Sequence, residues 1–190
     1  MGLDDVSVTY VGDWHTHSLF IEANARRVRS AIDTLPSGLR SEARVVFTAH
    51  SIPVAMAGAV RYRAQLLESA QLVAERLGVL DWALVFQSRS GRPEDPWLEP
   101  DVGSYLRAER ARGLAAAVVC PIGFVFDHVE VLYDLDTEAA QVCRDVGLPM
   151  TRASTVNDDP MFLEMMADEV LKTWDRYRTG RPLSLCPVRL

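Results

Sequence analysis

Short apolar runs rich in β-branched residues alternate along this chain with longer stretches in which apolar and polar residues are mixed at helical spacing. The pair of run and amphipathic stretch occurs five times. The pattern predicts strands at 7–12, 44–50, 82–88, 115–123 and, more weakly, 149–155. It predicts helices near 18–35, 61–77, 101–112, 128–146 and 160–178. In the 61–77 stretch apolar residues recur at spacings of three and four, and Gly78 follows as a C-terminal stop.

Strands that read as nearly continuous apolar runs, each followed by a helix, indicate a parallel sheet with helices on both faces. We therefore expect a single α/β domain over 1–180, an open Rossmann-like sheet of about five βα units, with 181–190 as a frayed tail. Ligands of such sheets bind beyond the carboxyl ends of the strands. Chemistry is thus expected in the segments that follow the strands, which read TAHSIP, QSRSGRPEDPWLEPD, GFVFDHVE and STVNDDP.

The composition fits one globular domain, since 48% of the 190 residues are hydrophobic and 24% are charged. A formal net charge of -6 argues against a general nucleic-acid binder, which needs an excess of Lys and Arg. The dispersed Cys120, Cys143 and Cys186 suit neither a disulfide framework nor a zinc knuckle and indicate a reducing compartment. Neither a signal-peptide pattern nor an apolar window of membrane-spanning length is present, so we expect a cytoplasmic protein without a transmembrane segment.

His50 is the first candidate for chemistry. It ends the predicted strand in VVFTAHSIP, and Pro53 prevents a helix from starting at once, which leaves the imidazole at the rim of the sheet. A neutral imidazole there could bind a divalent metal or move a proton near neutral pH. The alternative is a rim histidine that only hydrogen-bonds the following loop.

Three carboxylates form the second candidate. Glu130, Asp134 and Glu138 are spaced four and four, so an α-helix would carry them on one face, where like charges repel. That arrangement favours a metal or proton role, and the alternative is a solvated acidic face near a helix N-terminus. Oxygen ligands alone suit Mg²⁺, and the addition of His50 shifts the preference towards Fe²⁺, Co²⁺ or Zn²⁺.

Other features give weaker signals. His15 and His17 lack a third metal ligand and are simplest as loop histidines, and Asp127 is better explained as a helix cap than as a proton relay with His128. The 88–100 segment is rich in Pro and Gly, and a loop of that length in a compact domain is more often functional than accidental.

Three blocks of this sequence resemble one family. FTAHSIP at 47–53, QSRSGRPEDPWLEPD at 87–101 and GFVFDHVEVLYDLDTE at 123–138 are similar to the signature blocks of ferrochelatases, the enzymes that insert Fe²⁺ into a porphyrin. They occur in that family's order and at about its spacing. Ferrochelatases are usually about twice as long and hold the porphyrin between two similar α/β halves. The resemblance therefore implies a chelatase half, the C-terminal one.

The resemblance implies a role for each matching residue. His50 looks like the active-site histidine that contacts the metal or takes pyrrole protons, and Glu130 looks like its acidic partner across the cleft. Asp134 and Glu138 would extend a carboxylate path that carries metal in or protons out. Weaker cleft-lining positions are Ser51, Trp97 and His128. For Trp97 the alternative is a buried aromatic that anchors the long loop.

The chain also departs from the family pattern. The half that would supply much of the porphyrin pocket cannot be located here, and Phe126 stands where the family commonly has a serine. Dispersed cysteines argue against the four-cysteine [2Fe–2S] cluster of some relatives, so Fe²⁺ is expected as a substrate and no cofactor is expected to stay bound.

These observations lead to one expected function with two alternatives. We expect ferrochelatase-type insertion of Fe²⁺ into coproporphyrin III or protoporphyrin IX in haem biosynthesis, with a homodimer or a separate N-terminal half completing the cleft. The first alternative is a catalytically incomplete half-domain that binds divalent metal or porphyrin without turnover. The second is a piece of a longer ferrochelatase.

Overall fold

Four parallel strands form the centre of the computed structural model, which describes residues 10–92 and 94–180. They run in the spatial order β2-β1-β3-β4, and every pair of neighbours is parallel. The predicted parallel sheet is therefore confirmed. Its strands are β1 (Ala43–His50), β2 (Trp82–Gln87), β3 (Ala116–Cys120) and β4 (Met150–Arg152).

Helices connect and cover these strands. The α-helices are α1 (Ser18–Thr34), α2 (Ala59–Leu77), α3 (Val102–Ala111), α4 (Val129–Val131), α5 (Ala140–Val146) and α6 (Pro160–Arg178). A π-helix over Leu132–Ala139 joins α4 to α5, and we call the resulting continuous segment, residues 129–146, the acidic helix. A 3₁₀ turn at Ser37–Glu42 leads into β1. Within the described residues, no helix has the length and apolar character needed to cross a membrane.

The alternation of side chains along β1 shows why both faces of the sheet are covered. Val45 and Phe47 point into one core, which also contains residues of α1, α2 and α6. Val46, between them, points into the other core, which contains residues of α3 and the acidic helix. Each face thus buries its own set of apolar side chains, as expected for a sheet of parallel strands with helical crossovers.

Two parts of the sequence-based prediction are wrong within the described residues. The sheet has four strands there instead of five: residues 10–12 of the predicted first strand are not in a strand, and residues 7–9 lie outside the described part. The acidic helix is not a regular α-helix, because its middle is in π form. The predicted tail at 181–190 also lies outside the described residues.

Gly123 lets the chain leave β3 close to β1. Its N–H donates to the Thr48 carbonyl at 3.1 Å, and a Cβ built on Gly123 would lie 2.8 Å from the Cα of Ala49, next to His50. Real side chains do not tolerate such a distance, so the glycine is required for this close approach of two backbones. The turn that carries Phe126 and Asp127 therefore begins directly against the end of β1.

We predict that Gly123→Ala destabilises the protein by roughly 1–3 kcal/mol or more, because the added methyl group would overlap the buried Ala49. Chemical unfolding followed by circular dichroism measures the change. Gly38→Ala is the matched control, since a Cβ at Gly38 has no atom within 4 Å. Equal unfolding free energies for the two variants would contradict this explanation of Gly123.

Candidate functional site

His50 and Glu130 form a pair at the carboxyl edge of the sheet. His50 Nε2 lies 3.2 Å from Glu130 Oε1, although the two residues are 80 positions apart in sequence. The side chains are 36% and 43% exposed, so the pair is open to an incoming molecule. The structure thus brings together the two residues that the sequence singled out first.

The hydrogen bond at the other ring nitrogen defines what this pair can do. His50 Nδ1 is hydrogen-bonded to the backbone carbonyl of Ser51, which can only accept, so Nδ1 must carry the ring proton of a neutral imidazole. Nε2 then presents a lone pair towards the Glu130 carboxylate, which is also an acceptor. Two acceptors at this distance need a proton or a cation between them. The pair is therefore suited to bind a dication or to take up a proton.

The backbone around His50 is fixed from two sides. The Tyr62 hydroxyl donates to the His50 carbonyl at 3.1 Å, and the Ser51 N–H donates to the Gln87 carbonyl of β2 at 2.8 Å. Buried Ser51 also donates its hydroxyl to the Leu98 carbonyl at 2.8 Å. These bonds hold the imidazole at the end of β1 through its backbone and leave Nε2 free to react.

Asp134 is held over the end of β2. It accepts hydrogen bonds from Gln87 Nε2 at 3.2 Å and from the Ser88 hydroxyl. Ser88 has a φ of 62°, a left-handed conformation that costs free energy in a residue other than glycine. The bond to Asp134 fixes that conformation, so the end of β2 and the acidic helix position each other.

A cavity of about 490 Å³ lies beside this contact, between α3 and the acidic helix. Asp134 and Glu138 line it, whereas neither His50 nor Glu130 is among its lining residues. The buried Gln87 also borders it, and its Oε1 atom has no hydrogen-bond partner among the described residues. The other charged residues in the cavity wall are Asp101, Asp145 and Arg107. The cavity wall is therefore rich in oxygen acceptors, which suit a hydrated cation or protons that pass from the site to solvent.

The π-helix changes how the three predicted carboxylates are arranged. Hydrogen bonds from i to i+5 widen each turn, so side chains four residues apart no longer stack directly above one another. Glu130 faces His50, Asp134 faces β2, and the exposed Glu138 faces the cavity and solvent. The carboxylates form a series of separate positions from the His50 pair to the cavity.

Asp127 does not cap the acidic helix, contrary to the prediction. The N-cap residue is His128, which makes no capping side-chain hydrogen bond. The Asp127 carboxylate instead accepts from Arg152 Nη1 at 2.8 Å, from Asn157 Nδ2 at 3.0 Å and from the Thr155 N–H at 3.2 Å. Burial would raise the pKa of Asp127, but the bonds from Asn157 and Thr155 and the charge of Arg152 outweigh it and lower that pKa.

The weaker cleft-lining candidates occupy different environments. Trp97 forms a bridge with Pro53 and packs against Gly91, so it ties the 88–100 loop to the segment that follows His50. That position fits the interpretation of Trp97 as an anchor of the loop. His128 is exposed and makes an edge-to-face contact with Phe124, with ring centroids 5.4 Å apart.

A second group of possible metal ligands, His17, Asp168 and Glu169, has a structural role instead. His17 caps α1, because its Nδ1 accepts from the Leu19 N–H at 3.2 Å. Its Nε2 must then carry the ring proton, which it directs to Asp168 at 3.2 Å, so no lone pair is left for a metal. Lys172 neutralises both carboxylates, at 2.7 and 3.0 Å. The group therefore ties α1 to α6.

Several residues that support the site could not be identified from the sequence pattern. In the sequence Gln87 and Ser88 stand out only as members of the 87–101 block. Arg152 and Asn157 lie more than 20 residues from Asp127, so only the pairing of β4 beside β3 brings them to it. Segment patterns could place them near the sheet edge and could not identify their partners.

The fold is shared with a solved structure. A cobalamin (vitamin B12) biosynthesis CbiX protein from Marinobacter aquaeolei VT8 matches 70% of this chain and 98% of its own, with a TM-score of 0.52 and 14% identity. At that identity the likeness shows the fold alone. The class is thus an α/β protein with the fold of that CbiX protein.

The sequence comparisons identify the family. Residues 2–173 match the ferrochelatase family model, so the chain belongs to the ferrochelatase family. A coproporphyrin III ferrochelatase from Mycolicibacterium vanbaalenii is 47% identical over 169 residues, which are 87% of this chain and 49% of that protein. A ferrochelatase from Rhodopirellula baltica is 50% identical over 151 residues, 79% of this chain and 43% of that protein. The chain therefore spans about half the length of these relatives.

We predict that the contribution of Asp127 to stability is lost in acid. A folded-state pKa below the unfolded value of ~3.9 stabilises the protein above that pH, and the stabilisation disappears as pH falls through the folded pKa. The difference in unfolding free energy between the parent and Asp127→Asn should be largest near pH 7 and should narrow below about pH 4. Urea unfolding across this pH range measures it.

Asp33→Asn is the control for this experiment, because the Asp33 side chain is 69% exposed and its ion pair with Arg40 spans 3.7 Å. It should change stability little at any pH. A difference for Asp127→Asn that stays constant from pH 7 to pH 3 would show that the charge of Asp127 is not what stabilises the turn.

Proposed function

We propose that this chain carries the metal-insertion site of a ferrochelatase, which places Fe²⁺ in coproporphyrin III or protoporphyrin IX during haem biosynthesis. The observation that carries the proposal is the His50–Glu130 pair, in which two acceptors face each other at 3.2 Å. Membership of the ferrochelatase family supports it, and the curated relatives named coproporphyrin III ferrochelatases favour coproporphyrin III.

The chemistry of porphyrin metallation matches this pair. A dication enters the ring and two pyrrole N–H protons leave, so a base near the ring centre and a route to solvent are both required. We assign metal contact and proton uptake to His50 and Glu130. We assign the route to Asp134 and Glu138, which lead from the pair to the acceptor-lined cavity. Fe²⁺ is a substrate in this scheme, and no resident cofactor is invoked.

Exposed apolar side chains flank the pair on both sides. Val54 and Met56 follow His50 in sequence and are 51% and 50% exposed. Around Glu130, Phe126, Val129 and Tyr133 are also more than half exposed. A flat apolar macrocycle would cover such groups while its centre faced the polar pair. Phe126, in place of the family's serine, increases this apolar surface.

A second α/β half is proposed to complete the cleft, either a second copy of this chain or a separate N-terminal half. The chain spans about half of its relatives. A stripe of apolar residues also remains uncovered on α6, at spacings of three and four. Its members are Leu163, Met166, Val170, Trp174 and Tyr177. Apolar stripes of this size on a helix usually contact another protein surface.

We propose the cytoplasm as the site of action. The two described cysteines, Cys120 and Cys143, are free and buried, as a reducing compartment allows. Burial raises the pKa of Cys120 to about 12 and that of Cys143 to about 11. Both thiols are therefore protonated near neutral pH and are poor metal ligands.

Anaerobic insertion of Fe²⁺ into coproporphyrin III, followed by loss of porphyrin fluorescence, tests the proposed reaction. We predict that His50→Ala and Glu130→Gln each lower the rate roughly 10²–10⁴-fold, the usual contribution of a positioned proton acceptor. The matched controls are His15→Ala and Glu68→Gln, which alter a second His–carboxylate pair with a 2.9 Å separation outside the site. Equal rates for site and control variants would contradict the assignment.

A folded chain without turnover would favour the alternative of an incomplete half-domain. Co²⁺ binding that is lost in His50→Ala but retained in His15→Ala would then show that the metal site exists without the reaction. A folded chain that binds neither Co²⁺ nor porphyrin would contradict both functions.

The solution mass tests the proposed partner. Sedimentation at increasing concentration should give twice 21.1 kDa if a second copy completes the cleft, or 21.1 kDa if a separate chain does. For a dimer formed through α6, Val170→Asp should restore the monomer mass. Leu80→Asp is its control, because Leu80 is 98% exposed and lies outside the stripe. A monomer that turns over unaided would contradict the need for a partner.

A further inference from the structure

We propose that Arg152 is a positioning residue, whose guanidinium holds the acidic helix in the register that keeps Glu130 opposite His50. The inference rests on the proposed function of the His50–Glu130 pair. Arg152 itself touches neither residue in its described contacts, and it acts through the two aspartates on either side of Glu130.

The contacts of Arg152 form a rigid fork. Its Nε and Nη2 donate to the two oxygens of Asp136 at 2.7 and 2.9 Å, and its Nη1 donates to Asp127 at 2.8 Å. The Arg152 side chain is only 14% exposed, so these charge-assisted bonds are largely shielded from water. A planar guanidinium fixes the separation of the two carboxylates that it binds.

These two carboxylates bracket Glu130. Asp127 lies three residues before it, in the turn that follows β3, and Asp136 lies six residues after it, in the π-helix. A shift of the helix along its axis would have to break the bonds from Arg152 at one of the two aspartates. Glu130 therefore cannot move away from His50 while both ends of its segment remain bound.

The opposite edge of the sheet supplies the second attachment. Arg152 is the last residue of β4, one edge strand, whereas Gln87 ends β2, the other edge strand. Gln87 and the adjoining Ser88 hold Asp134. The acidic helix thus spans the carboxyl edge from β4 to β2, and Glu130 lies over His50 of the inner strand β1.

Local structure alone would not hold Glu130 there. It lies in α4, which has three residues and no side-chain cap, directly before a π-helix. The lone pair of His50 Nε2 and the Glu130 carboxylate also repel each other when neither a proton nor a metal is present. Contacts from outside this segment are therefore needed to keep Glu130 opposite His50 when no cation is bound.

Arg152→Lys tests this role, because a single ammonium group cannot reproduce the bidentate bond to Asp136 together with the bond to Asp127. The matched control is Arg44→Lys. Arg44 is also partly buried and bridges two carboxylates, Asp81 at 2.8 Å and Glu109, away from the site. Both variants should lose stability, so stability alone does not report positioning.

Two measurements on the purified chain separate positioning from stability, and neither requires turnover. The first is the position of the His50 imidazole resonances by NMR, and the second is the dissociation constant for Co²⁺. We expect Arg152→Lys to move the His50 resonances towards those of Glu130→Gln and to weaken Co²⁺ binding about 10- to 100-fold. Arg44→Lys should leave both at the parent values.

Asp136→Asn is the second variant, because it removes the bidentate carboxylate and leaves Arg152 and Asp127 in place. It should shift the His50 resonances in the same direction as Arg152→Lys, and it serves as the test if Arg152→Lys does not fold. Parent-like His50 resonances and Co²⁺ affinity in folded Arg152→Lys or Asp136→Asn would overturn the proposal. A parent chain that fails to metallate porphyrin would contradict the proposed function without affecting these two readouts.

Discussion

Two hydrogen-bond acceptors that face each other across 3.2 Å are stable only with a proton or a cation between them, and this constraint governs the site. The Ser51 carbonyl fixes the tautomer of His50, so Nε2 has no proton of its own to offer Glu130. The opposite arrangement occurs at His17, where Nδ1 accepts from the backbone and Nε2 donates to Asp168. His50 therefore needs a proton or a cation at Nε2, whereas both ring nitrogens of His17 already have hydrogen-bond partners.

The acidic residues of the segment 123–138 divide into two groups with different tasks. Asp127 and Asp136 are neutralised by Arg152 and fix the segment in place. Glu130, Asp134 and Glu138 have no Arg or Lys partner among the described ion pairs, and the proposed metal and proton roles rest on these three carboxylates. The sheet makes this division possible, since its two edge strands hold the acidic helix from opposite sides and the inner strand β1 ends at His50.

The sequence predicted the features that depend on local pattern. Parallel strands read as apolar runs, and the end of β1 at His50 and the end of the last helix at 178 both follow from the periodicity. The rule that the carboxyl ends of parallel strands share one edge predicted that the segments of His50 and Glu130 lie together, and the family resemblance paired the two residues. The family resemblance added the roles predicted for these residues.

Features that depend on contacts between residues far apart in sequence could not be predicted from local pattern. A spacing of four and four predicts a regular α-helix, and the π form over Leu132–Ala139 accompanies side-chain bonds to β2 and β4 that lie far away in sequence. Asp127 has the local pattern of a helix cap, yet Arg152 and Asn157 compete for its carboxylate and win because they offer stronger, partly buried bonds. A β-branched composition predicted a strand at 7–12, but its described residues, 10–12, are not in a strand, because composition alone does not supply a neighbouring strand to pair with.

We infer that the fold creates a dication site at His50 and Glu130. Anomalous diffraction from crystals of the chain soaked in Co²⁺ tests it most directly. We expect one strong peak bonded to His50 Nε2 and a Glu130 oxygen, and no peak at His17, Asp168 and Glu169. A peak at His17 with none at His50, or no bound Co²⁺ at either place, would contradict it.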